Sequence, residues 1–420
     1  VGYTLGLMLC KTALDFMATI ELQLRSPSPD FQDLPWEYSL SEWTGRCSRL
    51  EDAPRGVSRH PVVFVNYFGN LYAIKEMPVQ AAEQEYQALR EAEARRLPAV
   101  VAVGYGKVQR EAGTAGAIIT RYLEGALPYR LLFLRQGFEP YRRHLLDAIA
   151  SLLVQLHLGG VYWGDCSLSN TLFRRDAGAL RAYLVDAETA EAVSGPTSPN
   201  LRFHELQIME ENITRELVEL QVKGQLPTIE PGVPTLDTAA YIRLRYQSLW
   251  QEVTREDVIA PDEEYRIQER IRALNRLGFS VGDVELTPLE NGRQLRLHVV
   301  VTDRNFHREQ LFNLTGLDAE EQQAQKMMNE IHELRAMLST DPERSVPLSV
   351  AANHWLEKVY APVVERLQPL VTRQMTPQEL YCQVLEHKWY LSEREQRDVG
   401  HQAAVDDYLR KFWVQPRLEI

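Results

Sequence analysis

A helix that ends on a glycine pair and runs at once into a short polar loop constrains this chain more than any other feature of its sequence. From Tyr141 to Leu158 the apolar residues Leu145, Leu146, Ile149, Leu152, Leu153 and Leu156 recur at helical spacing. Gly159-Gly160 stops that helix, and Val161-Tyr162-Trp163-Gly164-Asp165-Cys166-Ser167-Leu168-Ser169-Asn170 follows. Thr171–Phe173 and Ala182–Val185 then read as short strands around a polar turn at Arg174–Gly178, and Asp186 comes directly after the second. This order predicts that Asp165, Asn170 and Asp186 surround one cleft. An Asp followed five positions later by an Asn suits a loop that handles an incoming hydroxyl and a phosphate-bound metal together.

A second group lies well upstream. Val62–Val65 and Leu71–Ile74 flank Asn66–Asn70, where Gly69 and Asn70 predict a β-hairpin, and the second run ends at Lys75. Ala81 to Arg96 reads as a helix closed by Leu97-Pro98, with strand-like runs at Val100–Val103 and Ala117–Tyr122. A lysine at the end of an apolar strand can reach nucleotide phosphates, and it needs an anion to hold it in place. Glu85 on the next helix is the expected partner, because Leu89 lies one turn further on the same face; Glu83 is the competitor. Taken singly, Lys75 reads as a surface lysine, Asp165 as a turn residue and Asp186 as a helix cap. Their order and spacing together favour phosphoryl transfer, with Asp165 facing the acceptor hydroxyl and Asn170 and Asp186 supplying oxygen ligands to magnesium.

With 420 residues, 45% of them hydrophobic, the chain can bury at least two cores. Its 46 basic and 58 acidic residues leave a net charge of −12, which repels phosphate backbones and disfavours nucleic acid as a partner without excluding a local basic groove. The four scattered cysteines, none at metal-ligand spacing, suggest a reducing, cytoplasmic setting. No run reaches the apolar length of a membrane span. The segment before Met17, broken by Lys11 and Asp15, reads as a weakly structured extension or an upstream start rather than a signal peptide.

Leu156-His157-Leu158-Gly159-Gly160-Val161 followed by Gly164-Asp165 and Asn170 resembles the catalytic loop of the lipopolysaccharide-kinase and small-molecule-kinase branch of the protein-kinase-like superfamily. The resemblance covers roughly residues 50 to 193. It implies a two-lobed kinase fold that binds ATP and magnesium, with Lys75, Glu85, Asn170 and Asp186 on the cofactor and Asp165 as catalytic base. Leu34-Pro35-Trp36 and Lys388-Trp389-Tyr390-Leu391-Ser392-Glu393 resemble the bacterial family called domain of unknown function 4032, which implies no substrate. Three positions depart from the kinase pattern. Trp163 stands where a His is usual, the metal triplet reads Asp186-Ala187-Glu188, and Gly56-Val57-Ser58-Arg59-His60 is the only candidate for a phosphate-covering loop.

The expected fold is therefore α+β, a two-lobed kinase-like domain followed by a mixed α/β, mainly helical C-terminal region. Residues 1–50 form an extension and lead-in, 51–224 the kinase-like domain (lobes 51–123 and 124–224), and 239–420 the C-terminal domain. A Pro-rich linker at Leu226–Pro234 separates the last two. Helices are expected at Phe203–Lys223, Tyr241–Val253, Glu263–Leu277, Asp318–Leu338, Leu348–Leu367 and Pro377–Val405. A hairpin turning at Asn291-Gly292 pairs Val281–Leu289 with Gln294–Val301. Cys166 and His157 read as core residues, the latter supporting the Asp165 loop. Glu205, Glu210 and Glu211 read as a solvated face, Ser392 with Glu395 as a capping box opening the last helix, and Trp355, Trp389 and Trp413 as C-terminal core in preference to a partner surface. The leading function is ATP- and magnesium-dependent phosphorylation of a hydroxyl on a small molecule, glycan or protein. The alternative is a pseudokinase scaffold that acts through a protein partner of its C-terminal region.

Overall fold

The computed structural model describes residues 19–54, 56, 58–111, 113–133, 139–224, 238–260, 263–289, 294–339 and 346–412. The expectations for the segment before Met17, the linker at 226–234, the Asn291-Gly292 turn and Trp413 lie outside these residues. The chain divides into two compact units. One takes in Val1–Ala53, Ser58–Gln87 and Val101–Tyr122, and the other Pro54–Val57, Ala88–Val100 and Leu123–Ile420.

The first unit is built on a five-stranded antiparallel sheet. Its strands are β1 (Thr19–Leu24), β2 (Val62–Tyr67), β3 (Asn70–Met77), β4 (Ala102–Arg110) and β5 (Gly113–Arg121), in the order β1-β4-β5-β3-β2. Helix α1 (Val79–Ala94) follows β3. The expected strand at 100–103 starts later, at Ala102. Val100 belongs with Leu184 to the second unit, its N–H donating to the Leu184 carbonyl over 3.0 Å. The sequence reading also missed β1, an edge strand that alternates exposed and half-buried residues and so carries little apolar signal. Between β1 and β2 the lead-in segment supplies core: Phe31, Leu34, Trp36, Leu40 and Trp43 are buried against the sheet residues Val65, Tyr67, Tyr72 and Ile74. Trp36 and Trp43 meet edge to face at 5.3 Å, and the Trp36 indole donates to the Phe31 carbonyl over 2.7 Å.

The second unit opens with β6 (Ala126–Pro128), α2 (Tyr129–Phe133) and α3 (Glu139–Leu158). Leu145, Leu146, Ile149, Leu152, Leu153 and Leu156 of α3 are all fully buried, which is why this helix anchors the loop after it. Then come β7 (Val161–Tyr162), β8 (Thr171–Asp176), β9 (Ala179–Leu184) and β10 (Glu191–Ala192); β6-β8-β9 form one sheet and β7-β10 another. The β8–β9 turn is tighter than the sequence suggested. Arg174 and Asp176 belong to the strand, leaving Ala177-Gly178 with φ of 52° and 90°, a two-residue turn whose handedness matches strand twist.

Helix α4 (Pro199–Val222) opens on Ser198, whose hydroxyl accepts from Leu201 N–H, and α5 (Thr238–Thr254) lies against α3 and α4. Next are β11 (Asp257–Ile259), α6 (Glu264–Arg276), β12 (Ser280–Pro288) and β13 (Leu295–Asp303), the three strands in the order β11-β13-β12. The remainder is helical: α7 (Phe306–Thr315), α8 (Glu321–Leu338), α9 (Leu348–Trp355), α10 (Ala361–Leu367), α11 (Pro377–Glu395) and α12 (Gly400–Phe412). A π turn at Leu356–Tyr360 splits the expected 348–367 helix just before Pro362, whose ring nitrogen cannot donate.

Two C-terminal expectations need correction. Ser392 does not open the last helix. It sits in the final turn of α11, where its hydroxyl accepts from Val399 N–H, and Gln396 ends that helix in the left-handed conformation with φ of 55°. Trp355 is core at 1% exposure, but Trp389 is 58% exposed, because α11 carries it away from the Leu380, Tyr381 and Val384 face.

Candidate active site

In the first unit Lys75 lies on an interior strand, paired with Val62 of β2 on one side and Ile118 of β5 on the other. Its ammonium meets Glu85 Oε2 at 2.5 Å, and both side chains are largely out of solvent. Glu85 is held on the inner face of α1 by its own burial and that of Leu89 one turn on. Glu83, the competitor, faces outward and accepts from the Tyr105 hydroxyl over 3.2 Å. The ion pair is thus Lys75–Glu85.

In the second unit, Asp165, Asn170 and Asp186 come together around the β8–β9 hairpin. Gly160 starts the loop at φ 70°, where an added Cβ would sit 2.2 Å from the Gly195 carbonyl, so only glycine fits. Asn170 precedes β8 and Asp186 follows β9 by one residue. Thr171 registers with Leu184, and Val185 N–H donates to the Asn170 carbonyl at 3.3 Å. The Asn170 amide nitrogen donates to both the carbonyl and the carboxylate of Asp165, each at 3.1 Å. Since the nitrogen is engaged there, the Asn170 carbonyl oxygen is the end of the amide left for a cation.

Helix α4 supplies supports that the sequence reading did not identify. Asn212 donates to the other Asp165 oxygen at 2.9 Å and to the Cys166 carbonyl at 3.2 Å. Glu216 accepts from the backbone N–H groups of Leu168 and Ser169 at 2.9 and 3.0 Å. Burial pushes the Glu216 carboxyl above its ordinary value, with the hydrogen bonds from Ser169 and Leu168 opposing it. Glu205 is fully buried, not part of a solvated face. It accepts from Trp163 N–H and Gly164 N–H at 3.0 Å and meets His157 Nε2 at 2.8 Å. The other His157 nitrogen meets the Tyr246 hydroxyl of α5 at 2.8 Å. Glu210 pairs instead with Arg243, and Glu211 is exposed as expected.

Trp163 ties the loop to the Asp186-Ala187-Glu188 triplet: its indole N–H donates to the Asp186 carbonyl over 2.9 Å, and its own carbonyl accepts from the Thr189 hydroxyl at 2.8 Å. Cys166 is fully buried, and burial lifts its thiol well above the ordinary value, so it is an inert core residue. Among the described residues no group of three or more His, Cys, Asp or Glu side chains could hold a metal.

A five-stranded sheet with a helix bearing the lysine's partner, then a helix, an Asp-x-x-x-x-Asn loop and an Asp-terminated hairpin, is a kinase-like order of elements. Residues 66–223 match the lipopolysaccharide kinase (Kdo/WaaP) family, and residues 248–413 match the domain of unknown function DUF4032. No curated protein matches the chain. Among solved structures it is similar to one described as WaaP in complex with acyl carrier protein, 18% identical over 55% of this chain and 99% of that one, with a TM-score of 0.32.

Proposed function

We propose that the protein is a phosphotransferase that moves the γ-phosphoryl group of ATP to a hydroxyl acceptor. The observation that carries this reading is the Asp165–Asn170 clamp. One amide fixes the carboxylate that would receive the hydroxyl proton and leaves its own oxygen for a phosphate-bound cation. The acceptor oxygen forms the new bond to phosphorus, the bond to the leaving ADP oxygen breaks, and the hydroxyl proton passes to Asp165. Lys75, held by Glu85, neutralises phosphate charge. Asn170 and Asp186 would hold magnesium, which would supply further neutralisation of phosphate charge. Asn212 keeps the Asp165 carboxylate turned to the acceptor, while Glu216 and Glu205 fix the loop backbone on both sides of it.

The second reading, a nucleotide-binding scaffold, draws on the Asp186-Ala187-Glu188 triplet and the lack of a glycine-rich loop. Magnesium-dependent ATP binding by thermal shift, followed by ATP turnover in wild type and Asp165→Asn, separates the two. An enzyme loses roughly a hundred- to ten-thousand-fold in turnover while nucleotide affinity holds. A scaffold binds nucleotide with no turnover to lose.

A further inference from the structure

A cavity of about 840 Å³ lies within the second matched segment, between β11, α6, the start of α7 and the middle of α8. Five arginines line it, Arg255, Arg266, Arg270, Arg272 and Arg276, against two acidic residues, Asp257 and Glu269, in a chain whose net charge is −12. Their roles differ. Arg255 and Arg270 pair with Glu252 and Asp257, and Arg266 with Glu263, which fixes those three guanidinium groups in place. Arg272 and Arg276 make no ion pair among the described residues, so their positive charge is open to a ligand.

Two buried polar atoms in the same wall lack hydrogen bonds. One is Nε of Arg270, a residue only 3% exposed, whose nearest carboxylate oxygen, on Asp257, is 3.7 Å away. The other is Oδ1 of Asn275. A buried donor and a buried acceptor left unmade in one cavity are costly, and a ligand that satisfies both relieves that cost. The donor and the free guanidinium groups call for a multivalent oxyanion, and the fork geometry of arginine suits phosphate. The Asn275 oxygen calls for a hydroxyl on the same molecule. Phe306 and Met328 add apolar wall for its carbon skeleton, and the volume is that of a small-molecule site.

We infer that this cavity binds a phosphorylated sugar or polyol, its phosphate on Arg270, Arg272 and Arg276 and a hydroxyl on Asn275. The site is built wholly from residues 255–332 and does not depend on the kinase reading. Titration calorimetry of the full chain with glucose 6-phosphate, inorganic phosphate and glucose tests it. The expected order of affinity is glucose 6-phosphate, then inorganic phosphate, with no heat from glucose. Arg272→Ser/Arg276→Ser, which alters exposed side chains and leaves the fold intact, should weaken both phosphate probes at least tenfold. Asn275→Ala should weaken glucose 6-phosphate several-fold and leave inorganic phosphate unchanged. Lys75→Met should change neither. Absence of glucose 6-phosphate binding, or equal affinity in wild type and the Arg272/Arg276 double variant, overturns the proposal, as does glucose binding as well as its phosphate ester. A loss in Lys75→Met alone assigns the phosphate to the nucleotide site and overturns it too.

Discussion

Glu205 is the most consequential residue outside the motif itself, and two substitutions of it have sharply different expected costs. In Glu205→Ala three buried groups lose their partner: the N–H groups of Trp163 and Gly164, and the His157 ring nitrogen. Each unmade buried hydrogen bond costs about 1–3 kcal/mol, so the sum is roughly 3–9 kcal/mol. Domains of ordinary size have ~5–15 kcal/mol of stability in all, so the alanine variant should be severely destabilised. Glu205→Gln is different, because an amide still offers one oxygen. That oxygen can serve the two loop N–H groups while the amide nitrogen faces His157. The imidazole accepts there if its proton moves to Nδ1, where the Tyr246 hydroxyl can accept it in turn. The glutamine variant should therefore lose only about 1 kcal/mol.

Urea denaturation followed by tryptophan fluorescence measures both values, and nitrogen-15 chemical shifts of His157 report the tautomer. In Glu205→Gln the protonated nitrogen should move from Nε2 to Nδ1. If alanine costs no more than glutamine, Glu205 is not carrying the loop, and the hydrogen bonds assigned to it do not matter in solution.

Other outcomes follow from the same geometry. Lys75→Met and Glu85→Gln should each weaken ATP binding, and their double variant should cost clearly less than the sum; additive effects in the cycle would show that the pair does not act as a unit. Asp186→Asn should abolish the magnesium-dependent part of ATP affinity in calorimetry while the circular dichroism spectrum stays native; unchanged magnesium–ATP affinity removes Asp186 as a ligand. Asp176 should give stability an acid-side component. Burial and the neighbouring Glu320 charge raise its carboxyl to about 7. Between an unfolded value of about 4 and that folded value the native state holds the proton and the unfolded chain does not, so stability falls as pH rises through this window. Asp176→Asn should flatten that fall in urea midpoints taken from pH 4 to 7, and an identical slope in the variant removes Asp176 as its source.

The kinase motif was legible because its chemistry is written in local order. Lys75 at the end of an apolar run, a helix with Glu85 and Leu89 one turn apart, and glycines ahead of Asp165 are all short-range signals. Glu205, Asn212 and Glu216 were not recognised, because each acts on backbone some 40 or more residues earlier. A signal did exist. Glu205, Met209, Asn212, Ile213, Glu216 and Leu220 fall on one helical stripe, in which polar residues alternate with apolar ones facing the core, whereas Glu211 lies off it. A glutamate on the apolar stripe of a helix is expected to be paired, since an unpaired buried charge is prohibitively costly. Edge strand β1 and the short β6 and β11 were missed for a simpler reason: each is too short or too weakly alternating to show a period.

Residues 224–247 separate the two matched segments, and within the second unit the β8–β9 hairpin is tied to the helices of the later segment. Its strands carry Arg174, Asp176, Arg181 and Tyr183, and all four are answered from beyond residue 300. Glu320 meets Arg174 and Arg181 at 3.1 and 3.0 Å and accepts from the Tyr183 hydroxyl at 2.7 Å. Asp176 accepts from the N–H groups of Gln322 and Gln323, both at 2.9 Å, and so caps α8 from another element. Even the turn is held, with Ala177 N–H donating to Glu379 of α11 at 3.0 Å. Burial alone would raise Glu320, yet Arg181, Arg174 and Arg308 outweigh it and hold its carboxyl down at about 2. Removing one side of such a buried set leaves charges unpaired, at a cost of about 3–5 kcal/mol for a single pair. The strands concerned are the ones that place Asn170 and Asp186 side by side at the open end of the hairpin. Whatever the C-terminal helices bind, they also fix the register of the hairpin on which the proposed metal ligands depend.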